Sequence, residues 1–239
     1  MFRHKGKTRT FKHNLHIASL LSFVAGIVNV AGFLSVTRLT TNVTGHFAFF
    51  VDEIFKLQFL QGFIYFLYIF FFFIGSFFSN LLIEIISKRN RNHVYVAPII
   101  IEVAILTSIA FFGNYLISSK PDLVAFSLLF AMGLQNSLVT KISNATVRTT
   151  HLTGLFTDLG IEISQLFFFT SEDEKEKLLT SIKLRLSIIG FFFIGGVAGG
   201  TFYSLTNLYV LLIPAIALII GLLYDDAKIN LRLLKRKHL

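Results

Sequence analysis

The chain has 239 residues, of which 54% are hydrophobic and only 15% are charged, and it contains 29 phenylalanines. A soluble domain carries about 25% charged residues, so the composition excludes an ordinary soluble protein and favours one whose solvent is lipid. The formal net charge of +9 does not indicate nucleic-acid binding, because no basic face is interleaved with base-stacking aromatic residues, and the absence of cysteine excludes disulfides and thiolate metal sites.

Six apolar segments follow a basic leader, residues 1–14, and precede a basic tail, residues 225–239. Each approaches the roughly 20 residues that cross about 30 Å of hydrocarbon. The first is too long for a cleaved signal peptide and has no clear cleavage site, so we expect it to be a retained span. The predicted spans are 15–37, 58–87, 94–117, 122–143, 186–205 and 208–224.

Two polar stretches, 42–57 and 151–169, decide the topology. If neither stretch crosses the membrane, 19 of the 22 lysines and arginines lie on one side, and only Arg38, Lys56 and Lys120 lie on the other. The positive-inside rule therefore predicts six spans with both termini in the cytoplasm. Each polar stretch then either dips into the membrane and returns or lies at its surface.

The two halves of the chain, 15–117 and 118–224, share motifs in the same order. The matching pairs are FVAGIVN (23–29) with FAMGLQN (130–136), TTNVTG (40–45) with TTHLTG (149–154), and FFFIG (71–75) with FFFIG (191–195). Three spans per half is an odd number, so the halves must have opposite orientations, as in many secondary transporters. The sequence thus predicts an all-α integral membrane protein made of two inverted three-helix repeats, each with a short re-entrant or interfacial helix after its first span.

Small residues follow the FFFIG motif in both halves. Gly75, Ser76 and Ser79 match Gly195, Gly196 and Gly199. Small side chains four residues apart let helix backbones approach closely, so these positions are predicted to pack helices together.

The TG motifs are the most specific local signal for a binding site. Glycine tolerates unusual backbone angles where a helix breaks, and threonine hydroxyls can satisfy either backbone groups or a ligand. The alternative is that Thr44 and Thr153 simply cap two short helices. The candidate binding residues in these motifs are Thr41, Thr44, Gly45, Thr150, Thr153 and Gly154.

Four further polar residues lie inside the predicted spans. The amides Asn29, Gln135 and Asn136 must find partners in lipid, so they either connect helices or line a polar cavity. Glu102 lies in an apolar run of the third span, and an intramembrane carboxyl group is a functional candidate. We expect these four side chains to contribute to a substrate site at which the two TG segments converge.

The remaining acidic and histidine residues give weaker signals. Glu53 and Glu162 match between the halves, with Asp158 one turn before Glu162, and they either handle protons or cations or form the solvated side of an interfacial helix. His46 and His151 adjoin the TG turns but lack the further ligands that a metal site needs. No metal, cofactor or enzymatic motif is predicted.

The paired motifs AGIVN…TTNVTG and MGLQN…TTHLTG resemble the YoaK-type family of bacterial membrane proteins over residues 15 to 225. This resemblance implies a six-span protein of the bacterial inner membrane and supplies no substrate. The family usually has an aspartate where Asn29 stands and TGN where this chain has Thr44, Gly45 and His46. The loss of that aspartate argues against family-wide cation coupling through this position.

The sequence therefore favours a transporter or permease for a small molecule or an ion, with a polar site at the interface of the repeats. The alternative is a membrane assembly or accessory protein that transports nothing. The expected partners are the lipid bilayer and an unidentified small solute, and a homo-oligomer is compatible with the sequence.

Overall fold

The computed structural model describes residues 10–89, 94–168 and 171–237, with side chains in the last helix described up to residue 224. The basic leader up to residue 9, residues 90–93 and the side chains of the basic tail therefore lie outside the described residues. The described residues are mostly helical and include no strand. The elements are α1 (Phe11–Val36), α2 (Val43–Phe55), α3 (Phe59–Arg89), α4 (Val96–Ser119), α5 (Pro121–Ser143), α6 (Leu152–Gln165), α7 (Glu172–Thr206), a 3-10 turn (Asn207–Leu211) and α8 (Leu212–Lys237).

Five segments of the described chain are long and apolar enough to cross a membrane. Four of them are α1, α3, α4 and α5. The predicted fifth and sixth spans fall together in the last segment, Glu172–Tyr224, which the 3-10 turn divides into α7 and α8. The acidic stretch before the predicted fifth span forms the beginning of α7, so the two are one continuous helix.

Two helices of the described chain are too short to be candidate membrane spans. Helix α2 has 13 residues and α6 has 14, so each is about 20 Å long at 1.5 Å per residue, less than the hydrocarbon thickness. Each follows a loop that folds back along the preceding long helix. In the first half, the Thr40 hydroxyl donates to the carbonyl oxygen of Val28 at 3.1 Å. Val28 lies eight residues, or about 12 Å, before the end of α1.

Helices α3 and α5 run parallel along each other. Contacts between them advance together along both chains, from Tyr68 with Asp122 to the Ser76 hydroxyl, which donates to the Gly133 carbonyl at 3.1 Å. They continue to an ion pair of Lys141 with Glu84 at 2.7 Å. Because α4 and α5 are joined by Lys120 alone and pack against each other, α4 runs antiparallel to both α5 and α3.

Helices α1 and α7 also run parallel, and their crossing repeats that of α3 and α5. A Cβ on Gly133 would lie 2.2 Å from the carbonyl oxygen of Phe72, and one on Gly26 would lie 2.1 Å from that of Phe192. Gly75 and Gly195 meet the carbonyl oxygens of Phe130 and Phe23 in the same reciprocal way. The predicted close packing of small residues is confirmed, and each crossing joins a helix of one half to a helix of the other.

The core lies around α1 and α5, which have the largest shares of buried residues among the candidate spans. Helix α5 packs against α1, α3 and α4. The outer helices carry exposed phenylalanines, as expected of a surface that faces lipid. Those on α2 and α3 include Phe47, Phe55, Phe59, Phe63, Phe66, Phe73 and Phe77.

We expect Gly133→Ala to destabilise the protein, because its methyl group would overlap the Phe72 carbonyl oxygen, and overpacking costs about 1–3 kcal/mol. The matched control is Gly190→Ala in α7, where an added Cβ has no neighbour within 4 Å. The control should be neutral or slightly stabilising, since alanine is the better helix former. Thermal unfolding followed by circular dichroism suits a chain without tryptophan. Equal stability of the two variants would contradict the proposed crossing.

Candidate functional site

The two TG turns are fastened to the preceding helices by equivalent hydrogen bonds. The Thr41 hydroxyl donates to Oδ1 of Asn29 at 2.6 Å, and the Thr150 hydroxyl donates to Oδ1 of Asn136 at 2.8 Å. The pairing of asparagine with the TT-x-[VL]-TG motif is therefore a structural unit of each half. No described hydrogen bond joins the two asparagines or the two turns, so convergence of both turns on one site stays a prediction.

The caps of the short helices differ from the expected ones. Asn42, rather than Thr44, caps α2, and its side-chain oxygen accepts a hydrogen bond from the Gly45 amide at 3.1 Å. His151 precedes α6 and makes no side-chain cap. The interpretation of Thr44 and Thr153 as caps is therefore wrong, since both side chains lie exposed in the first turns. Thr44 and Thr153 are free to contact a solute or the membrane surface.

The turn after α5 has an unusual backbone that sets the direction of the following loop. Asn144 and Ala145 both adopt left-handed angles, with φ of 53° and 62°. Such angles are uncommon for residues other than glycine. The Ala145 amide donates to the carbonyl oxygen of Thr140 at 2.8 Å, and the Ser143 hydroxyl accepts from the Val147 amide at 2.9 Å. These bonds satisfy the end of α5 and turn the chain back toward Asn136.

The other predicted site residues lie in the interior. Gln135 is fully buried, and its Nε2 donates to the Leu21 carbonyl oxygen at 3.0 Å and to the Thr149 hydroxyl at 3.4 Å. It therefore ties α5 to α1 and to its own TG turn. Glu102 is also fully buried, and neither of its carboxyl oxygens has a hydrogen-bond partner among the described residues.

A polar groove runs between α3 and α5 and encloses about 590 Å³. We name it the α3–α5 groove. Asn136 is the one predicted site residue in its wall, and its Nδ2 donates to the Met132 carbonyl oxygen at 2.8 Å. The groove extends to the end of α5, where Lys141, Asn144 and Ala145 line it. It is lined by Ser76, Asn80, Asn136, Ser137, Thr140, Lys141, Asn144 and Ala145.

A second cavity of about 260 Å³ lies beside the first turns of α6 and shares Ala145 with the groove. We name it the α6 cavity, and Gly154 is the predicted site residue in its lining. Its charged side chains are Arg148, Asp158 and Arg185. Together the groove and the α6 cavity form a polar surface that extends from Ser76 on α3 to Gly154 in the second TG turn.

An ion-pair network fixes α6 to α7 at this cavity. The Arg185 guanidinium contacts Asp158 at 2.9 Å and Glu162 at 2.8 Å. The Ser181 hydroxyl also donates to Glu162 at 2.6 Å. The Glu162 side chain is only 13% exposed, so the interpretation of Glu162 as part of a solvated helix face is wrong.

The corresponding region of the first half is aromatic. Tyr65 stands at the repeat position of Arg185, and Phe49 at that of Asp158; their rings stack with centroids 5.2 Å apart. Glu53, the counterpart of Glu162, has one buried carboxyl oxygen with no partner among the described residues. The two halves thus share backbone geometry while carrying different chemistry.

A buried cluster of polar and aromatic side chains joins the first TG turn to the second half. His46 Nε2 lies 2.6 Å from the Leu39 carbonyl oxygen, and its ring lies 4.7 Å from that of Tyr68. The Tyr68 hydroxyl donates to Asp122 at the start of α5 and accepts from Nε of Arg38 at 3.3 Å. The cluster therefore connects the loop after α1, α2, α3 and α5.

The environment of His46 favours its neutral form. Burial lowers the pKa of His46, and the nearby charge of Arg38 lowers it further, although the hydrogen bond to the Leu39 carbonyl partly opposes both effects. A neutral imidazole whose Nε2–H donates to Leu39 leaves Nδ1 as an acceptor. That Nδ1 is buried and has no partner among the described residues.

Sequence reasoning missed this cluster and the Arg185 network. Tyr68 and Asp122 lie 54 residues apart, in spans whose pairing no local pattern reveals. A signal did exist for Arg185, because the FFFIG motifs align it with Tyr65 and the TG motifs align Glu162 with Glu53.

Acidification should destabilise the native protein through His46. The pKa of His46 is lowered in the folded state, so its contribution to stability is complete above the unfolded value of about 6.5 and is lost as the pH falls below it. The difference in unfolding free energy between the native protein and His46→Gln should therefore shrink on acidification, by at most about 1.4 kcal/mol per pH unit. A difference that does not change with pH would contradict a neutral His46.

Comparison with known proteins places the chain in a family. No curated protein and no solved structure matches it. The family model described as "Protein of unknown function (DUF1275)" matches residues 17–224, which contain both TG turns, the α3–α5 groove and the α6 cavity. The YoaK-type membrane proteins, which the paired motifs resemble, are members of this family. The chain belongs to the DUF1275 family of membrane proteins of unknown function.

Proposed function

We propose that this protein is a transporter or permease for a small polar molecule or ion, and that the α3–α5 groove is its solute site. The observation that carries the proposal is the polar wall of that groove in an otherwise apolar pair of spans. Hydrogen-bonding side chains within spans are costly unless protein, water or a solute contacts them. The one charged group in the wall, Lys141, is paired with Glu84, so the wall best suits a neutral polar solute.

The second support is that each TG loop folds back along the long helix that precedes it. Each turn places the beginning of a short helix beside a long one, about two helical turns inside the end of that helix. Re-entrant helices of this kind line substrate paths in many secondary transporters. Ala145 lines both the groove and the α6 cavity, so the two adjoin each other. The α6 cavity would therefore connect the groove to the second TG turn.

The proposed arrangement has six spans in two inverted repeats, with α7 and α8 as separate crossings. The parallel pairs α1–α7 and α3–α5 support it, because each pair joins one half to the other with reciprocal glycine contacts. The concentration of basic residues at one set of span ends supports cytoplasmic termini and a location in the bacterial inner membrane.

Single cysteines introduced into this cysteine-free chain test the topology directly. Asn90→Cys should be protected from a membrane-impermeant thiol reagent in intact cells, whereas Ser118→Cys should be labelled. Both should react after the membrane is disrupted. External labelling at position 90 would exclude the six-span arrangement.

The solute site is tested by Asn136→Leu, with Asn29→Leu as its matched control. Both asparagines accept from a threonine of their own TG turn, so both variants should lose a similar amount of stability, about 1 kcal/mol. Asn136 also lines the polar groove, whereas Val30, the neighbour of Asn29, faces an apolar groove with Phe192 and Gly196.

The measurement is thermal unfolding of the purified protein with a panel of sugars, polyols, amino acids, nucleosides and ions, followed by uptake of the active compounds into proteoliposomes. A solute at 100 times its Kd stabilises the protein by about 2.7 kcal/mol. The stabilisation and uptake should persist in Asn29→Leu and disappear in Asn136→Leu. If Asn136→Leu retains the stabilisation and the uptake, the groove is not the solute site. The better explanation is then an accessory protein in which the two threonine–asparagine hydrogen bonds are purely structural.

A further inference from the structure

Four fully buried polar side chains each carry at least one oxygen atom that has no hydrogen-bond partner among the described residues. Ser22, Ser79, Glu102 and Gln135 are all 0% exposed. The Ser22 and Ser79 hydroxyls, both carboxyl oxygens of Glu102 and the Oε1 of Gln135 have no hydrogen-bond partner among the described residues. Buried polar atoms are rarely left unpaired, and a group of them indicates bound water or an ion. In these four side chains all of the unpaired atoms are oxygens.

Helix register places these four residues near one level of the bundle. Gln135 donates to the carbonyl oxygen of Leu21, the residue before Ser22. In the parallel pair of α3 and α5, Ser76 contacts Gly133 and Glu84 contacts Lys141. Both pairs are 57 residues apart in the chain, and the same separation places Ser79 opposite residue 136.

Glu102 reaches the same level through the α4–α5 hairpin. Lys120 joins the two antiparallel helices, so residues at equal distances before and after Lys120 lie opposite each other. Glu102 lies 18 residues before Lys120 and is therefore opposite residue 138, which lies 18 residues after Lys120. That position is about one helical turn from Gln135. Ser79 shares a face of α3 with Gly75, which meets the α5 backbone, and Glu102 belongs to the buried face of α4 together with Ile99 and Leu106.

We propose that these residues form an internal hydrated site in which Glu102 carries a proton. An ionised carboxylate in an apolar interior needs a partner charge or several donors, and Glu102 has neither among the described residues. The neutral carboxylic acid requires only one acceptor for its O–H and tolerates water as its second partner. Gln135 Oε1 and the two serine oxygens are acceptors at this level.

The ionisable groups on the elements packed against α4 do not supply a counter-charge. On α3 and α5 the charged side chains nearest in register are Glu84 and Lys141, which pair with each other at 2.7 Å and are about half exposed. Asp122 is engaged by Tyr68 at the far end of α5. The remaining described ionisable groups on α3, the 3-10 turn and α8 are Tyr65, Lys88, Tyr209 and Tyr224.

The proton transfer itself is simple. When the site opens to water, the Glu102 carboxylic acid gives its proton to water and becomes a carboxylate. It must take a proton from water again before the site closes, because the closed interior favours the neutral form. If the site opens to different sides of the membrane in different conformations, each cycle carries one proton. This coupling rests on the proposed transport function, whereas the protonation of Glu102 does not.

Infrared spectroscopy of the purified protein in lipid tests the protonation without any substrate. The native protein should show a carboxylic-acid C=O band that shifts in D₂O and persists from about pH 6 to about pH 8. The band should be missing in Glu102→Gln and should move in Ser79→Ala, because loss of a hydroxyl changes the hydrogen bonding of the acid. Carboxylate bands that disappear in Glu102→Gln, with no acid band in the native protein, would overturn the proposal.

Proteoliposomes with an imposed pH gradient test the coupling. For a solute found by thermal stabilisation, Glu102→Gln should keep the stabilisation and lose accumulation driven by the gradient. Undiminished gradient-driven accumulation in this variant would overturn coupling through Glu102 and leave transport intact. Absence of solute binding in both proteins would instead count against the proposed function, with the infrared result still deciding whether Glu102 is protonated.

Discussion

The structure depends on one constraint, which is that lipid offers no hydrogen bonds to the backbone. A chain that leaves a helix within the membrane must therefore find its partners in protein or in water. In each half the loop after the first long helix folds back and is held by a threonine hydroxyl on an asparagine of that helix. The same threonine–asparagine hydrogen bond precedes both short helices. It holds the loop against the long helix, so each short helix can begin within the bundle. The position of α2 and α6, the cavity beside α6 and the turn at Asn144 and Ala145 all follow from this folding-back.

The two halves keep this scaffold and differ in the side chains on it. The first half closes α2 against α3 with a stack of Phe49 on Tyr65, while the second half closes α6 against α7 with Arg185 and two acids. An aromatic contact and an ion pair can occupy equivalent places because both lie between a short helix and a long one at the same spacing. Their chemistry is not equivalent, however. The ionic version lies beside the α6 cavity, whose lining includes Gly154 of the second TG turn.

The helix crossings explain how the halves hold together. Each of the two closest crossings uses a glycine from one half and a glycine from the other, so neither half can form its closest helix contacts alone. The interface of the halves is therefore tightly packed at both crossings. Gln135 and Glu102, which carry oxygens without partners among the described residues, lie on the neighbouring helices α5 and α4.

The sequence by itself determined the membrane environment, the order of the long apolar helices, the repeat of motifs and the presence of an asparagine in the span before each TG motif. These features are local or periodic: hydropathy is read over one span, and a repeat over fixed offsets. The small residues after FFFIG were also sufficient to predict close crossings, because a missing side chain permits backbone contact wherever the helix packs. The partners in those crossings, α1 with α7 and α3 with α5, could not be read, since they depend on how distant helices meet.

Only the tertiary structure decided the contacts that join residues far apart in the chain. Tyr68 with Asp122, and Glu162 with Arg185, require a particular register between two helices, and register is set by the packing of whole faces rather than by a motif. The same reason explains why the sequence leaves open whether Glu162 is solvated: its spacing on α6 is amphipathic, and the residues that bury it, Ser181 and Arg185, belong to α7. Burial of Glu102 without a partner was likewise a property of the assembled bundle, although its place in an apolar run had already marked it.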